Sequence, residues 1–108
     1  MIFVFGGAYA GKEDFVKKDL GCDKIIRDLH LIIKKAMQNG KNAYEETERL
    51  LDENNDAVFI TNEVGGGIVP IDAFEREWRE ACGRISCTFA EKADAVYRVV
   101  CGIGIKIK

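Results

Sequence analysis

Hydrophobic and polar positions along the chain alternate between two kinds of pattern, and the changes mark the elements. The opening Ile2-Phe3-Val4-Phe5 is an unbroken apolar run of β-branched and aromatic side chains, as in a strand buried on both faces. Residues 14–20 place Phe15 and Val16 on one side of a short helix that Gly21 can end. Ile25, Ile26, Leu29, Ile32, Ile33, Ala36 and Met37 recur at helical spacing. They predict a helix over 24–39, capped by Asp23 and stopped by Gly40. Asn42 can cap a third helix over 43–54, with Tyr44, Thr47, Leu50 and Leu51 inward and an acid-rich outer face. That charge run is most simply a solvated surface.

Residues 57–61 form a second buried-strand pattern, which delivers Asn62, Glu63 and then Val64-Gly65-Gly66-Gly67. Asp72 can cap a helix over 73–93, with its inner stripe on Phe74, Trp78, Ala81, Ile85, Phe89 and Ala93 and a break near Gly83. Arg76, Arg79 and Arg84 fall on its other faces. Surface ion pairing is the simple reading for them, and a phosphate contact the competing one. Residues 95–101 predict a final strand, and 102–108 a hairpin arm or an edge strand whose lysines discourage unwanted pairing. The order β-α-α-α-β-α-β predicts an α/β fold with a small, mostly parallel sheet flanked by helices, as one domain over residues 1–108. Three strands leave edges exposed, and association of identical copies would cover them.

Composition narrows the function classes. The 108 residues carry 47% hydrophobic and 31% charged side chains, the balance of a globular domain. A net charge of −2 gives no electrostatic case for nucleic acid or an anionic membrane. No apolar run approaches the ~20 residues of a membrane span, and the opening run lacks a basic flank and the length of a secretory leader. Cytoplasm is the expected compartment. Cys22, Cys82, Cys87 and Cys101 form no C-x-x-C pair and have one histidine to assist them, which argues against zinc. Reduced thiols follow, with Cys101 read as a small core residue.

The candidate chemistry lies at the turn after the first strand. Gly6-Gly7-Ala8-Tyr9-Ala10-Gly11-Lys12 has the order of a phosphate-binding P-loop. Glycines let successive backbone N–H groups turn onto an oxyanion, the following helix adds its positive end, and Lys12 adds a mobile charge for the outer phosphates. Glu13 stands where the pattern has a Mg²⁺-binding hydroxyl, and it could itself ligate Mg²⁺. The alternative is a glycine turn that binds nothing. Glu63, at the carboxyl end of the second strand, is placed to reach Mg²⁺ or a nucleotide held by residues 6–13. The competing reading is a loop cap.

Thr61-Asn62-Glu63-Val64-Gly65-Gly66-Gly67-Ile68-Val69-Pro70 resembles the signature of the adenosylcobinamide kinase / adenosylcobinamide-phosphate guanylyltransferase family. Gly83-Arg84-Ile85, the tail Val99 to Lys106 and the Gly6 to Lys12 loop resemble it too. The resemblance implies a P-loop-type three-layer fold that binds GTP or ATP with Mg²⁺. It implies phosphorylation of the aminopropanol hydroxyl of adenosylcobinamide, GMP transfer through a guanylylated histidine, and a trimer. By that likeness Gly6, Gly7, Ala8, Tyr9, Ala10, Gly11, Lys12 and Glu13 would hold the nucleotide. Lys12 and Glu63 would be catalytic, with Glu63 and Glu13 toward Mg²⁺, and Glu63 and the following glycines would lie near nucleotide and corrinoid. Three departures stand out: Glu13, a short middle region, and His30 as the sole histidine, on a helix and outside the family's histidine-rich context. The resemblance would make His30 the nucleophile that carries GMP, and the competing reading is a partly buried helix histidine. Two further readings stand beside a minimal cobinamide kinase. One is a catalytically degenerate nucleotide- or corrinoid-binding protein with a regulatory role, and the other is a chain that keeps only the fold as a subunit of an assembly.

Overall fold

A computed structural model describes residues 1–64 and 72–108. Strand β1 (Ile2–Gly6) leads into the glycine loop and α1 (Lys12–Phe15), which continues as a π-helical turn (Val16–Leu20). Strand β2 (Ile25–Ile26) precedes α2 (Leu29–Gln38) and α3 (Ala43–Glu53). Strand β3 (Val58–Asn62), α4 (Ala73–Lys92), β4 (Ala95–Val100) and β5 (Ile103–Lys106) complete the chain. The strands form one sheet in the order β2-β3-β1-β4-β5, parallel except for β5.

The pleat of the strands sorts the core into two layers. Phe3, Phe59 and Val96 point to the face covered by α2, α3 and α4, where Leu29, Ile33, Ile85 and Phe89 pack on them. Val4, Val58, Ile60 and Val99 point to the other face, covered by Phe15 and Val16. The α/β, three-layer expectation is therefore met, with β1 in the middle of the sheet. The chain leaves β1 over one face and leaves β3 toward α4 on the other. The carboxyl ends of these neighbours are thus a topological switch point, where α/β sheets hold ligands.

Several expectations about elements change. Residues 24–28 are not helical. Ile25 and Ile26 pair with Val58 and Phe59, and Lys24 accepts the Val58 N–H at 2.9 Å, so sheet burial outweighs the helical spacing of this apolar pair. The helix begins at Leu29 with Asp28, not Asp23, at its N-cap position. The tail is both a hairpin arm and an edge strand. Cys101 and Gly102 form a two-residue turn with φ of 50° and 76°, the mirror-image geometry that matches strand twist. Cys101 is accordingly exposed rather than in the core. No break occurs at Gly83, since α4 runs unbroken over 20 residues. Asn42 and Asp72 cap α3 and α4 as expected, each accepting two backbone N–H groups. The expectation placed on Gly65, Gly66, Gly67, Ile68, Val69 and Pro70 lies outside the described residues.

Candidate functional site

The loop after β1 is built from residues in unusual backbone states. Tyr9 and Gly11 both have positive φ, 62° and 85°. Gly11 needs its missing side chain twice, for that φ and because a Cβ would lie 3.2 Å from Gly102 Cα. Gly6 is required for a different reason, because a Cβ there would meet the Val99 carbonyl at 2.5 Å. Tyr9 sits fully exposed at the loop tip. Inside the loop Ala10 donates to the Gly7 carbonyl at 3.3 Å, and Phe15 N–H closes the first helical bond to Gly11 at 3.0 Å.

Lys12 is only 8% exposed, and its Nζ donates to the Gly7 carbonyl at 2.7 Å. Burial lowers its pKa, and the charges of Asp28 and Glu63 oppose that shift. It lies on a cleft of roughly 540 Å³, a volume within the range of small-ligand sites. Ala8, Tyr9, Gly11 and Glu13 line one side of this cleft, and Arg27, Asp28 and His30 the other, with Ile60 and Asn62 also on its wall.

Glu13 is exposed and committed to cations. It accepts from Arg27 Nε at 2.6 Å and pairs with Lys17 at 3.3 Å. The Arg27 hydrogen bond is the main reason its pKa falls below the usual carboxylate value. Glu63 follows β3 directly, and its N–H donates to the Gly6 carbonyl at 2.8 Å. Its carboxylate pairs with Arg98 Nε at 3.0 Å and lines a second, apolar cavity of about 270 Å³ with Phe3, Phe5, Cys82 and Cys87, toward α4. Burial pushes the Cys82 thiol up to about 12, so this cavity has no reactive thiolate at Cys82.

His30, in the first turn of α2, is 5% exposed. Its Nδ1 accepts the Asn62 backbone N–H at 3.2 Å, with Thr61 Oγ1 at 3.5 Å. A ring nitrogen that accepts a backbone N–H carries no proton, so the neutral ring bears its hydrogen on Nε2. Burial lowers the His30 pKa, assisted by the Lys12 charge and opposed by Asp28. His30 lines the cleft, and with Nδ1 engaged by Asn62 the other ring nitrogen, Nε2, is the one left for a ligand. In this state it offers a donor, whereas a nucleophile needs a lone pair there.

The structure therefore gathers Ala8, Tyr9, Gly11, Lys12, Glu13 and His30 around one cleft, leaves Gly6, Gly7 and Ala10 off its lining, and puts Glu63 on the second cavity toward α4. It also adds three residues that the sequence reading did not select: Arg27, Asp28 and Asn62. The signal for Arg27 and Asp28 was the short apolar strand Ile25–Ile26 running into a charged pair, which the helical periodicity of 24–39 masked, and Asn62 ends β3. Among the described residues no three His, Cys, Asp or Glu side chains come close enough to hold a resident metal ion, and no helix is long and apolar enough to cross a membrane.

Residues 23–107 match the family model described as cobinamide kinase / cobinamide phosphate guanyltransferase. The match starts after the glycine loop. The bifunctional adenosylcobalamin biosynthesis protein CobU of Salmonella typhimurium is 51% identical to this chain over 51 residues, and that of Escherichia coli is 49% identical over 51 residues. Each match covers 47% of this chain and 28% of the relative. With most of its length matched by the family model, the chain belongs to the cobinamide kinase / cobinamide phosphate guanyltransferase family.

Proposed function

We propose that the protein binds a nucleoside triphosphate, GTP or ATP, in the Lys12 cleft and phosphorylates adenosylcobinamide or a closely related corrinoid. The observation that carries this reading is the buried Lys12 at the end of a glycine loop, beside the β1/β3 switch point, in a chain of this family. Phosphoryl transfer asks chiefly for positioning and charge stabilisation. Lys12 would leave the Gly7 carbonyl for the outer phosphate oxygens, and the loop N–H groups would hold the inner ones. Neutral His30 would donate Nε2–H to an anionic oxygen in the same cleft. The carboxylates present suit Mg²⁺ carried in on the nucleotide, which needs one or two of them, rather than an ion held by protein alone. Asp28 would supply one, with Glu63 available on release from Arg98 and Glu13 on release from Arg27. When bound, that ion would neutralise charge on the phosphate oxygens. Transfer of GMP would be the second activity, as the description of the family suggests.

A cytoplasmic location and a homo-oligomer, a trimer by the family likeness, belong to this reading. The exposed Ile103, Ile105 and Ile107 on or beside edge strand β5 support self-association. The pairing of Glu13 with Arg27 and Lys17 favours the second reading, a binding protein without turnover. Incubation with adenosylcobinamide and γ-labelled GTP separates the two. Label on the corrinoid supports the kinase. A melting temperature raised by GTP without labelled corrinoid supports the binding protein, and no shift at millimolar GTP or ATP removes both.

A further inference from the structure

The carboxyl-terminal hairpin touches the glycine loop at two places and the helix that follows the loop at a third. The Gly102 N–H donates to the Ala10 carbonyl at 2.7 Å, a shorter contact than the loop's own Ala10–Gly7 bond of 3.3 Å. Gly11 lies against Gly102 so closely that a Cβ on Gly11 would stand 3.2 Å from Gly102 Cα. Two residues further on, the ring of Phe15, from α1, occupies the space a Cβ of Gly104 would take, within 2.1 Å. The same ring meets Tyr97 of β4 at 5.3 Å between centroids.

We infer that the hairpin tip, Cys101 to Gly104, is a positioning wall of the phosphate loop. It holds the Ala10 carbonyl in place, and with it the peptide that carries the Gly11 N–H at the edge of the cleft. A peptide is planar, so fixing the Ala10 carbonyl fixes the direction of the Gly11 N–H. The loop has few internal bonds to do this for itself, and Tyr9 stays in the left-handed region, a conformation that persists where surroundings enforce it. The tip is suited to the task because its own geometry is set by the two-residue turn and the β4–β5 ladder, independently of any ligand. Gly102 is thus a positioning residue that acts through Ala10 and Gly11.

The inference rests on nucleotide binding in the Lys12 cleft, and the test separates the two. Gly102 has φ of +76° and open space where a Cβ would go. Gly40, at the end of α2, has φ of +69° and equally open space, but lies away from the cleft. Gly102→Ala and Gly40→Ala therefore impose the same backbone strain at two places. GTP affinity in the presence of Mg²⁺ is measured by calorimetry for both variants and the wild type, with melting temperatures alongside. The expected result is a similar fall in melting temperature for both, about tenfold weaker GTP binding for Gly102→Ala, and unchanged binding for Gly40→Ala. Gly102→Asn, which tolerates this φ, should recover most of the affinity. Equal affinity in both alanine variants would overturn the positioning role while leaving the binding site intact. Absence of GTP and ATP binding in the wild type would instead remove the reading on which it rests. Should Gly102→Ala not fold, the same comparison made with Gly102→Ser and Gly40→Ser, which also strain a positive φ, decides by the same readout.

Discussion

The two faces of the sheet are covered very differently. On one, three helices bury a continuous layer that includes Phe3, Phe59 and Phe89, with ring centroids 5.9 Å and 5.0 Å from Phe89 to Phe3 and Phe59. On the other, α1 and one π-helical turn press Phe15 and Val16 onto four strand residues. The thick layer holds the fold. The thin layer leaves the carboxyl edge open beside the glycine loop, and there the buried lysine and the strained backbone collect. Stability and candidate chemistry are thus divided across one sheet, and single substitutions should show the division.

The largest effect belongs to the thick face. Phe89→Ala removes a ring that is 1% exposed and should cost about 3–5 kcal/mol of stability in denaturant titration. Its GTP affinity, measured on the folded fraction, should stay at the wild-type value. On the thin face the reverse holds. Lys12→Met keeps the volume and removes a desolvated charge, so the melting temperature without nucleotide should not fall. GTP binding should weaken by roughly 10- to 150-fold, the equivalent of about 1.5–3 kcal/mol for a charged hydrogen bond. A Lys12→Met variant that binds as the wild type does would erase the distinction between the faces.

The smallest effect is a pH dependence at the border of the two faces. The folded chain holds the His30 pKa below its ordinary 6.5, chiefly by burial. The unfolded chain then binds the extra proton first, so this contribution is complete above pH 6.5 and is lost as pH falls toward the folded value. Asp28 and Lys12 are the charges that act on the ring, with opposite sign. Denaturation midpoints followed downward from pH 6.5 should fall in the wild type and flatten in His30→Gln. Carboxylates held low by cations, such as Glu13 and Asp94, act at lower pH and do not mimic this slope.

Local pattern determined much of this molecule. The apolar runs at Ile2 to Phe5 and 57–61, the caps at Asn42 and Asp72, and the long stripe of α4 were legible because each is a property of neighbouring residues. The glycine loop and its lysine were legible for the same reason. Tertiary contact decided the rest. Whether Ile25-Ile26 joined a helix or the sheet depended on β3 offering its edge, and whether Cys101 was buried depended on the chain turning back after it. Arg27, Asp28, Asn62 and Gly102 reached the loop only through pairing with strands distant in sequence, where burial and backbone hydrogen bonding across the sheet outweigh any preference written in a short window of sequence.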